Sequence, residues 1–207
     1  MLFSTIVKTL YTVRMITLGM DEVGRGAWAG PVVVGAVALS EPIAGLRDSK
    51  LLSARQRLAL VDTIRVGAHA WSIGSASSEE IDHLGLTTAL KLAYQRAATA
   101  LQDIYEYKAI IIDGSYNFLA DSNIGSTVQT IVRADKTVPA VSAASIIAKV
   151  WRDQYMIQSA TLYPGYGFER HVGYGTAVHQ AAVIQQGTCI LHRQSVRPIK
   201  ELAKVLT

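Results

Sequence analysis

Apolar and polar positions along the chain follow two rhythms, one of period two and one of helical period. Met15 to Val23 is a short apolar run that closes on Asp21 and Glu22. Pro31 to Leu39 is rich in valine and bounded by turn residues, the pattern of a strand buried on both faces. Pro31 can open that strand because its missing N–H falls at the strand start. Ser53 has the chemistry of a helix N-cap, and Leu58, Val61 and Ile64 recur at helical spacing through Val66. Ala68 to Ala76 alternates as a third strand. Ser78-Glu79-Glu80 then opens one longer helix, with Ile81, Leu84, Leu90, Ala93 and Ala97 on its inner face. Lys108 to Asp113 is a short β-branched run stopped by Gly114, and Ser126 to Arg133 reads as a further strand. Pro139 to Ala160 is helical, a Gly/Tyr-rich loop runs to Gly175, and a last helix spans about Thr176 to Gln186. Strands dominate early and helices late, so the pattern predicts an α/β fold, a mixed sheet flanked by helices.

Composition narrows the function classes. No internal repeat, charge block or Pro/Ser-rich linker divides the 207 residues. The expected organisation is an N-terminal extension over 1–17 and one domain over 18–207, whose C-terminal helical part starts at about 162. With 50% hydrophobic and 17% charged residues the chain can build a packed core and is no disordered segment. A net charge of +4 fits a phosphate-bearing partner without demanding one. The single cysteine, Cys189, excludes a disulfide within the chain and a cysteine-rich zinc site, and points to a reducing cytoplasm. The longest uncharged apolar stretch, Ala27 to Leu39, has about 13 residues against the roughly 20 a membrane helix needs, so no membrane is expected. Met1 to Thr17 carries Lys8 and Arg14 and no acid, but no small-residue cleavage site follows. It reads as an extension and not as a targeting peptide.

Four acids stand in unusual places. Asp21 and Glu22 close an apolar strand, Asp113 ends Ile110-Ile111-Ile112, and Asp135 follows the strand that ends at Arg133. A carboxylate at the tip of a buried strand is costly unless something compensates it. A divalent cation does so, and strand ends of α/β sheets are where ligand sites gather. Carboxylates without histidine or cysteine beside them favour a hard ion, Mg²⁺ or Mn²⁺, which completes its shell with substrate phosphate. Two such ions are the arrangement for phosphodiester hydrolysis. The plainer reading is that each acid is a loop residue or a helix N-cap, and the acids by themselves leave both open. Gly24-Arg25-Gly26 poses the same choice. It could let backbone press against a ligand while Arg25 meets phosphate, or it could be an ordinary turn.

Taken in order, these segments resemble the ribonuclease HII family from about Leu18 to Pro198. The resemblance rests on Met20-Asp21-Glu22-Val23-Gly24-Arg25-Gly26, Asp48-Ser49-Lys50, Ile112-Asp113-Gly114, Ala134-Asp135-Lys136 and the run Ser142 to Asp153. It continues through Tyr163-Pro164-Gly165-Tyr166-Gly167-Phe168, His171-Val172-Gly173-Tyr174, Thr176 with His179, and His192-Arg193-Gln194-Ser195. It implies a ribonuclease H-like fold, a five-stranded mixed sheet flanked by helices with a helical C-terminal part closing over the cleft. It places Asp21, Glu22, Asp113 and Asp135 on the family's catalytic carboxylates, which hold two Mg²⁺ or Mn²⁺ ions with substrate bound, Asp21 bridging them. It gives Gly24-Arg25-Gly26 the reading of a ribonucleotide 2′-hydroxyl, the group that tells RNA from DNA. Tyr174 would pack on the sugar of the next deoxynucleotide. Lys50 and Lys149 would stand near phosphates, which position without reading sequence, and Arg193 is a further substrate-side candidate. The implied reaction is metal-dependent attack by water on the phosphorus 5′ of a ribonucleotide, leaving a 3′-hydroxyl and a 5′-phosphate. The implied partners are RNA/DNA hybrids and DNA duplexes with embedded ribonucleotides, and the reaction begins ribonucleotide removal from DNA. One site from one chain implies a monomer.

The sequence departs from the family pattern at Ala27-Trp28, where Pro-Leu is common, at Leu51, at Val196 and at Gly175, where proline usually follows the tyrosine. A glycine there is expected to loosen the Tyr174 loop. His171 and His179 are expected in surface or structural roles, Trp71 and Trp151 in the core, Cys189 as a small buried filler, and Asp153 as an i,i+4 partner of Lys149. Two rival functions remain at this level. Another nuclease on the same fold would need no 2′-hydroxyl reader, and a silent nucleic-acid-binding module would have no use for four intact acids.

Overall fold

In the computed structural model, which describes residues 16–46, 52–102, 107, 109–124 and 126–205, the first two apolar runs pair as a hairpin. Strands β1 (Thr17–Val23) and β2 (Val32–Leu39) are antiparallel, from Thr17 opposite Leu39 to Val23 opposite Val33. Helix α1 (Ala54–Gly67) follows, opened by a capping box in which Ser53 and Gln56 satisfy each other's backbone N–H groups. Strand β3 (Ala70–Ala76) returns antiparallel to β2. Helices α2 (Ser78–Leu84) and α3 (Leu86–Gln102) lead to β4 (Ala109–Asp113), which is parallel to β1, and to β5 (Thr127–Ile131), parallel to β4. A single 3₁₀ turn (Ala134–Lys136) precedes α4 (Pro139–Leu162), and α5 (Phe168–His171), α6 (Ala177–Gln186) and α7 (Arg197–Val205) complete the described chain. The sheet order is β3-β2-β1-β4-β5, a five-stranded mixed sheet as expected.

Side-chain alternation sorts the two faces. Leu18 and Met20 of β1 and Ile110 and Ile112 of β4 meet Ala93, Tyr94 and Ala97 of α3, all without solvent exposure. Each large apolar side chain buried this way contributes roughly 1.5–3 kcal/mol. On the opposite face, α4 and α1 pack against β2 through Val37, Ala143, Ala144, Ile147 and Ile64. There α4 lies almost in contact with the sheet backbone, because a β-carbon on Gly19 would sit 2.1 Å from the Ala140 carbonyl carbon and one on Gly35 2.3 Å from the Ala144 oxygen. A third apolar cluster (Ala29, Met156, Phe168, Val183, Leu191 and Ile199) joins the far half of α4 to the C-terminal helices.

Two expectations are corrected. The helix expected to run on from Ser78 is two helices: Ser77 caps α2, and Gly85, at φ 77°, ends it one residue before α3 begins. Leu84 therefore leaves the inner face and is 47% exposed. The helix ending at Gln186 is not the last, since α7 follows with Ile199 buried in the third cluster. Most of the expected N-terminal extension, along with Asp48, Lys50 and Leu51, lies outside the described residues. Among the described residues no helix is long and apolar enough to cross a membrane.

Candidate active site

The register of the sheet brings two of the four acids side by side. Met20 pairs with Ile112 in the parallel β1–β4 ladder, so Asp21 and Asp113 stand one step further along adjacent strands, about 4.8 Å apart in the hydrogen-bonding direction. By the parity of their strands both face α4, whose Ser145 hydroxyl hydrogen-bonds the Asp21 carboxylate. Asp21 also accepts the Glu22 amide at 2.8 Å. Burial, with the charges of Glu22 and Asp113, pushes its pKa up to about 7 despite these two bonds. The Asp113 carboxylate accepts the Ala134 amide at 2.6 Å and the Asp135 amide, and burial and the Asp135 charge raise its pKa as well.

Glu22 has the opposite parity and points toward α3. Its carboxylate accepts the buried Tyr94 hydroxyl on one oxygen and Arg25 Nη1, at 2.9 Å, on the other. Asp135 is 3% exposed, in the 3₁₀ turn behind Asp113. Asp21, Glu22, Asp113, Ser145, Arg57, Lys149 and Tyr174 line one hollow of about 380 Å³, while Asp135 lines a separate, smaller one.

The donor set suits a hard divalent cation. It is all oxygen, and Asp21's two hydrogen-bond donors are uncharged, so its buried negative charge is left for a cation to compensate. Among the described residues no three Asp, Glu, His or Cys side chains converge as a ready-made cage. The Glu22 carboxylate is tethered to Arg25 and Tyr94, toward α3 and away from the face that Asp21 and Asp113 share.

The Gly24-Arg25-Gly26 loop is held from beneath by two fully buried arginines. Arg152 donates to the carbonyls of Pro31, Ala29 and Val172 at 2.9, 3.1 and 2.9 Å. Arg193 donates to those of Gly30 and Arg25 at 2.9 and 3.1 Å. Gly24, at φ 93°, passes directly over Arg152, whose Nε would lie 2.3 Å from a β-carbon there. Arg193 therefore corrects an expectation: with no exposed surface it is a support for the loop and cannot reach a substrate. Arg25 itself is exposed at the rim.

The Tyr174 loop closes the other side. Gly173 O accepts the amides of Trp28 at 2.8 Å and Ala29 at 3.2 Å, and Ala27 bridges to Tyr174. The half-buried Tyr174 ring has Lys149 Nζ 5.7 Å and the Arg152 guanidinium carbon 5.2 Å from its centroid. Lys149 pairs with Asp153 at 2.7 Å, as its spacing indicated. His171 and His179 are buried and structural, Cys189 is half-buried in the third cluster, and the half-buried Trp71 and Trp151 pack against Arg65 and Tyr155. Tyr94, Ser145, Arg57 and Arg152 are site members that sequence reading did not single out. Ser145 and Arg152 lie inside a quoted motif run, but nothing local marks Tyr94, which meets Glu22 across 72 residues.

A family profile described as Ribonuclease HII matches residues 18–199. The Ribonuclease HII of Halorhodospira halophila is 44% identical over 185 residues, covering 89% of this chain and 93% of its own. The ribonuclease H2 of Pyrococcus horikoshii OT3 shares the fold at a TM-score of 0.77 and 24% identity, covering 92% of this chain and 98% of its own. Bst-RNase HIII, solved in complex with Mn²⁺, does so at a TM-score of 0.74 and 24% identity, covering 93% of this chain and 70% of its own.

Proposed function

The chain belongs to the ribonuclease HII family and is an endoribonuclease, and from this premise we propose that Asp21, Glu22, Asp113 and Asp135 hold two divalent ions against the phosphate 5′ of a ribonucleotide. The substrates are RNA/DNA hybrids and DNA duplexes with embedded ribonucleotides. The observation that carries the reading is Asp21, buried at the strand end beside Asp113, its pKa pushed up to about 7 by that burial and by the neighbouring acids Glu22 and Asp113. When bound, the ions supply the charge that ionises these carboxylates and stabilises the developing charge on the phosphate. Mg²⁺ and Mn²⁺ both suit an all-oxygen donor set, and the structurally similar Bst-RNase HIII was solved with Mn²⁺.

The remaining roles fall to the chain's own residues. Ser145 and the Glu22 amide orient Asp21, the Ala134 and Asp135 amides orient Asp113, and Tyr94 orients Glu22. Arg152 and Arg193 fix the Gly24-Arg25-Gly26 backbone where it can meet a 2′-hydroxyl, and Arg25 can pass from Glu22 to a substrate phosphate. Tyr174 offers its ring to the following sugar, and Lys149 offers charge to the backbone. Lys50 keeps the phosphate role that the family resemblance implies. One chain supplies every described member of the site, so the working unit is a monomer built from residues 18–207.

The test is a labelled DNA duplex with one ribonucleotide, incubated with Mg²⁺, Mn²⁺ or chelator, beside an all-DNA duplex and the Asp113→Asn variant. Metal-dependent cleavage 5′ of the ribonucleotide, lost in the variant and absent from all-DNA, is the expected result. Comparable cleavage of all-DNA would remove the ribonucleotide reader and keep the metal nuclease. Full activity of Asp113→Asn would remove the proposed metal site.

A further inference from the structure

Beneath the Tyr174 loop lies a buried polar cluster that the cleavage chemistry does not use. His171, His179 and His192 are 9%, 0% and 1% exposed. The rings of His171 and His179 stack at 4.5 Å, and His179 and His192 lie 5.2 Å apart. Their hydrogen bonds fix where each proton sits. The Cys189 amide, which can only donate, lies 2.9 Å from His192 Nδ1, so that nitrogen is the bare acceptor and His192 carries its proton on Nε2. The Cys189 carbonyl is also 3.3 Å from Nδ1, but a proton placed there would collide with the amide hydrogen. His192 Nε2 then donates to His179 Nε2 at 3.0 Å, which leaves the His179 proton on Nδ1. That proton meets the Tyr174 carbonyl at 3.0 Å. The donors thus run in one direction, from the Cys189 amide through two neutral imidazoles to the backbone of Tyr174. His171 completes the set, accepting the Gly173 amide on Nδ1 at 3.2 Å and donating from Nε2 to Tyr166 O at 2.8 Å.

We propose that His192 and His179 form a positioning relay for Tyr174, setting the backbone of the residue that packs on the sugar beyond the scissile step. The inference rests on the substrate-side reading of Tyr174 given above. The relay grips the loop from below, while the Trp28 and Ala29 amides hold Gly173 O from the side. Tyr174 O shares its acceptor with the Thr176 amide at 2.9 Å, so the loop persists without the relay but loses the bond that fixes its orientation. Neutral rings are what burial here dictates, since it lowers the pKa of both His179 and His192 to about 4. A charged His179 would present N–H to N–H across the 3.0 Å contact and break the chain.

Two measurements test this. Nitrogen-15 NMR of the wild-type protein at pH 7 should show His192 with its proton on Nε2 and His179 with its proton on Nδ1, both neutral. The opposite tautomer on either ring, or a charged ring, overturns the relay whatever any variant does. The second compares kcat/KM on a duplex with one embedded ribonucleotide against kcat/KM on an RNA/DNA hybrid, where an RNA-to-DNA step is not required. His192→Phe fills the same volume without the donor and should lower that ratio by roughly tenfold, while His192→Gln, which restores an N–H near the position of Nε2, should recover most of it. A purely structural role would lower both substrates together and leave the ratio unchanged, which overturns the proposal. Tyr174→Ala separates the two layers. If it leaves the ratio intact, the reading of Tyr174 itself fails. If it lowers the ratio while a folded His192→Phe does not, only the relay fails.

Discussion

A β-carbon built on Gly175 would lie 2.1 Å from Trp28 Cε2 and 2.3 Å from Cζ2, distances no side chain tolerates. The glycine expected to loosen the Tyr174 loop is therefore the space into which the indole packs, and the two departures from the family pattern are one feature. Rigid ring atoms and not a flexible tip meet the new carbon, so Gly175→Ala should destabilise the fold by about 1–3 kcal/mol in urea unfolding. Trp28→Leu should make the same alanine nearly harmless, giving a double-mutant-cycle coupling above roughly 0.5 kcal/mol. Additive effects of the two changes would show that the loop does not depend on the indole. This coupling was not legible in the sequence, where residues 28 and 175 are far apart and each stands out only as a separate departure from the family pattern. The meeting of Asp21 and Asp113 was easier to anticipate, because each acid closes an apolar run and the parallel β1–β4 register brings the two strand ends together. Arg193 was misjudged because a motif gives position along the chain and says nothing of burial.

Among the elements, the alternation of β1 decides what each half of Asp21-Glu22 meets. Asp21 turns to α4 and finds Ser145, while Glu22 turns to α3 and finds Tyr94, whose ring stacks on Phe118 at 4.8 Å. Tyr94→Phe keeps that stacking and removes only the donor to Glu22. A partner that orients a metal-binding carboxylate supports about 10- to 100-fold in affinity or activity, so the variant should need more Mg²⁺ for half-maximal cleavage while its thermal midpoint stays close to wild type. An unchanged Mg²⁺ dependence would mean that Tyr94 serves the core alone. The strands were readable because period-two and fully apolar runs are local signals, and Ser53 declared α1 by its capping chemistry. The break at Gly85 was missed because apolar residues on both sides of it keep near-helical spacing, and only the positive φ shows that the phase is reset. α7 was missed because it is short: Ile199 and Leu202 share one face and pack on the third cluster, but nine residues give a helical pattern few repeats to show itself.

For the whole molecule, the two buried clusters pull stability in opposite directions with pH. Burial lowers the pKa of His179 and His192 from the ordinary 6.5 to about 4, so between these limits the unfolded chain binds more protons than the native one. Their contribution is complete above pH 6.5 and is lost as pH falls toward 4, at up to about 1.4 kcal/mol per pH unit for each proton. Asp21 runs the other way in the metal-free protein, burial pushing its pKa from the ordinary 3.8 up to about 7. The native state takes up that proton first, so stability is gained as pH falls through 7, and Asp113 shifts in the same sense. Glu80, held below its usual 4.5 by Arg96, loses its contribution only under the window of interest. Urea unfolding in chelator should therefore give a shallow curve for the wild type between pH 6.5 and 4.5. Asp21→Asn removes most of the opposing gain, so its stability should be higher than wild type at pH 7.5 and should fall more steeply on acidification. Adding His192→Phe to that variant should flatten the fall again. A flat profile for Asp21→Asn alone would mean that the histidines are not held neutral, and a wild-type curve as steep as the variant's would mean that Asp21 is already compensated without metal.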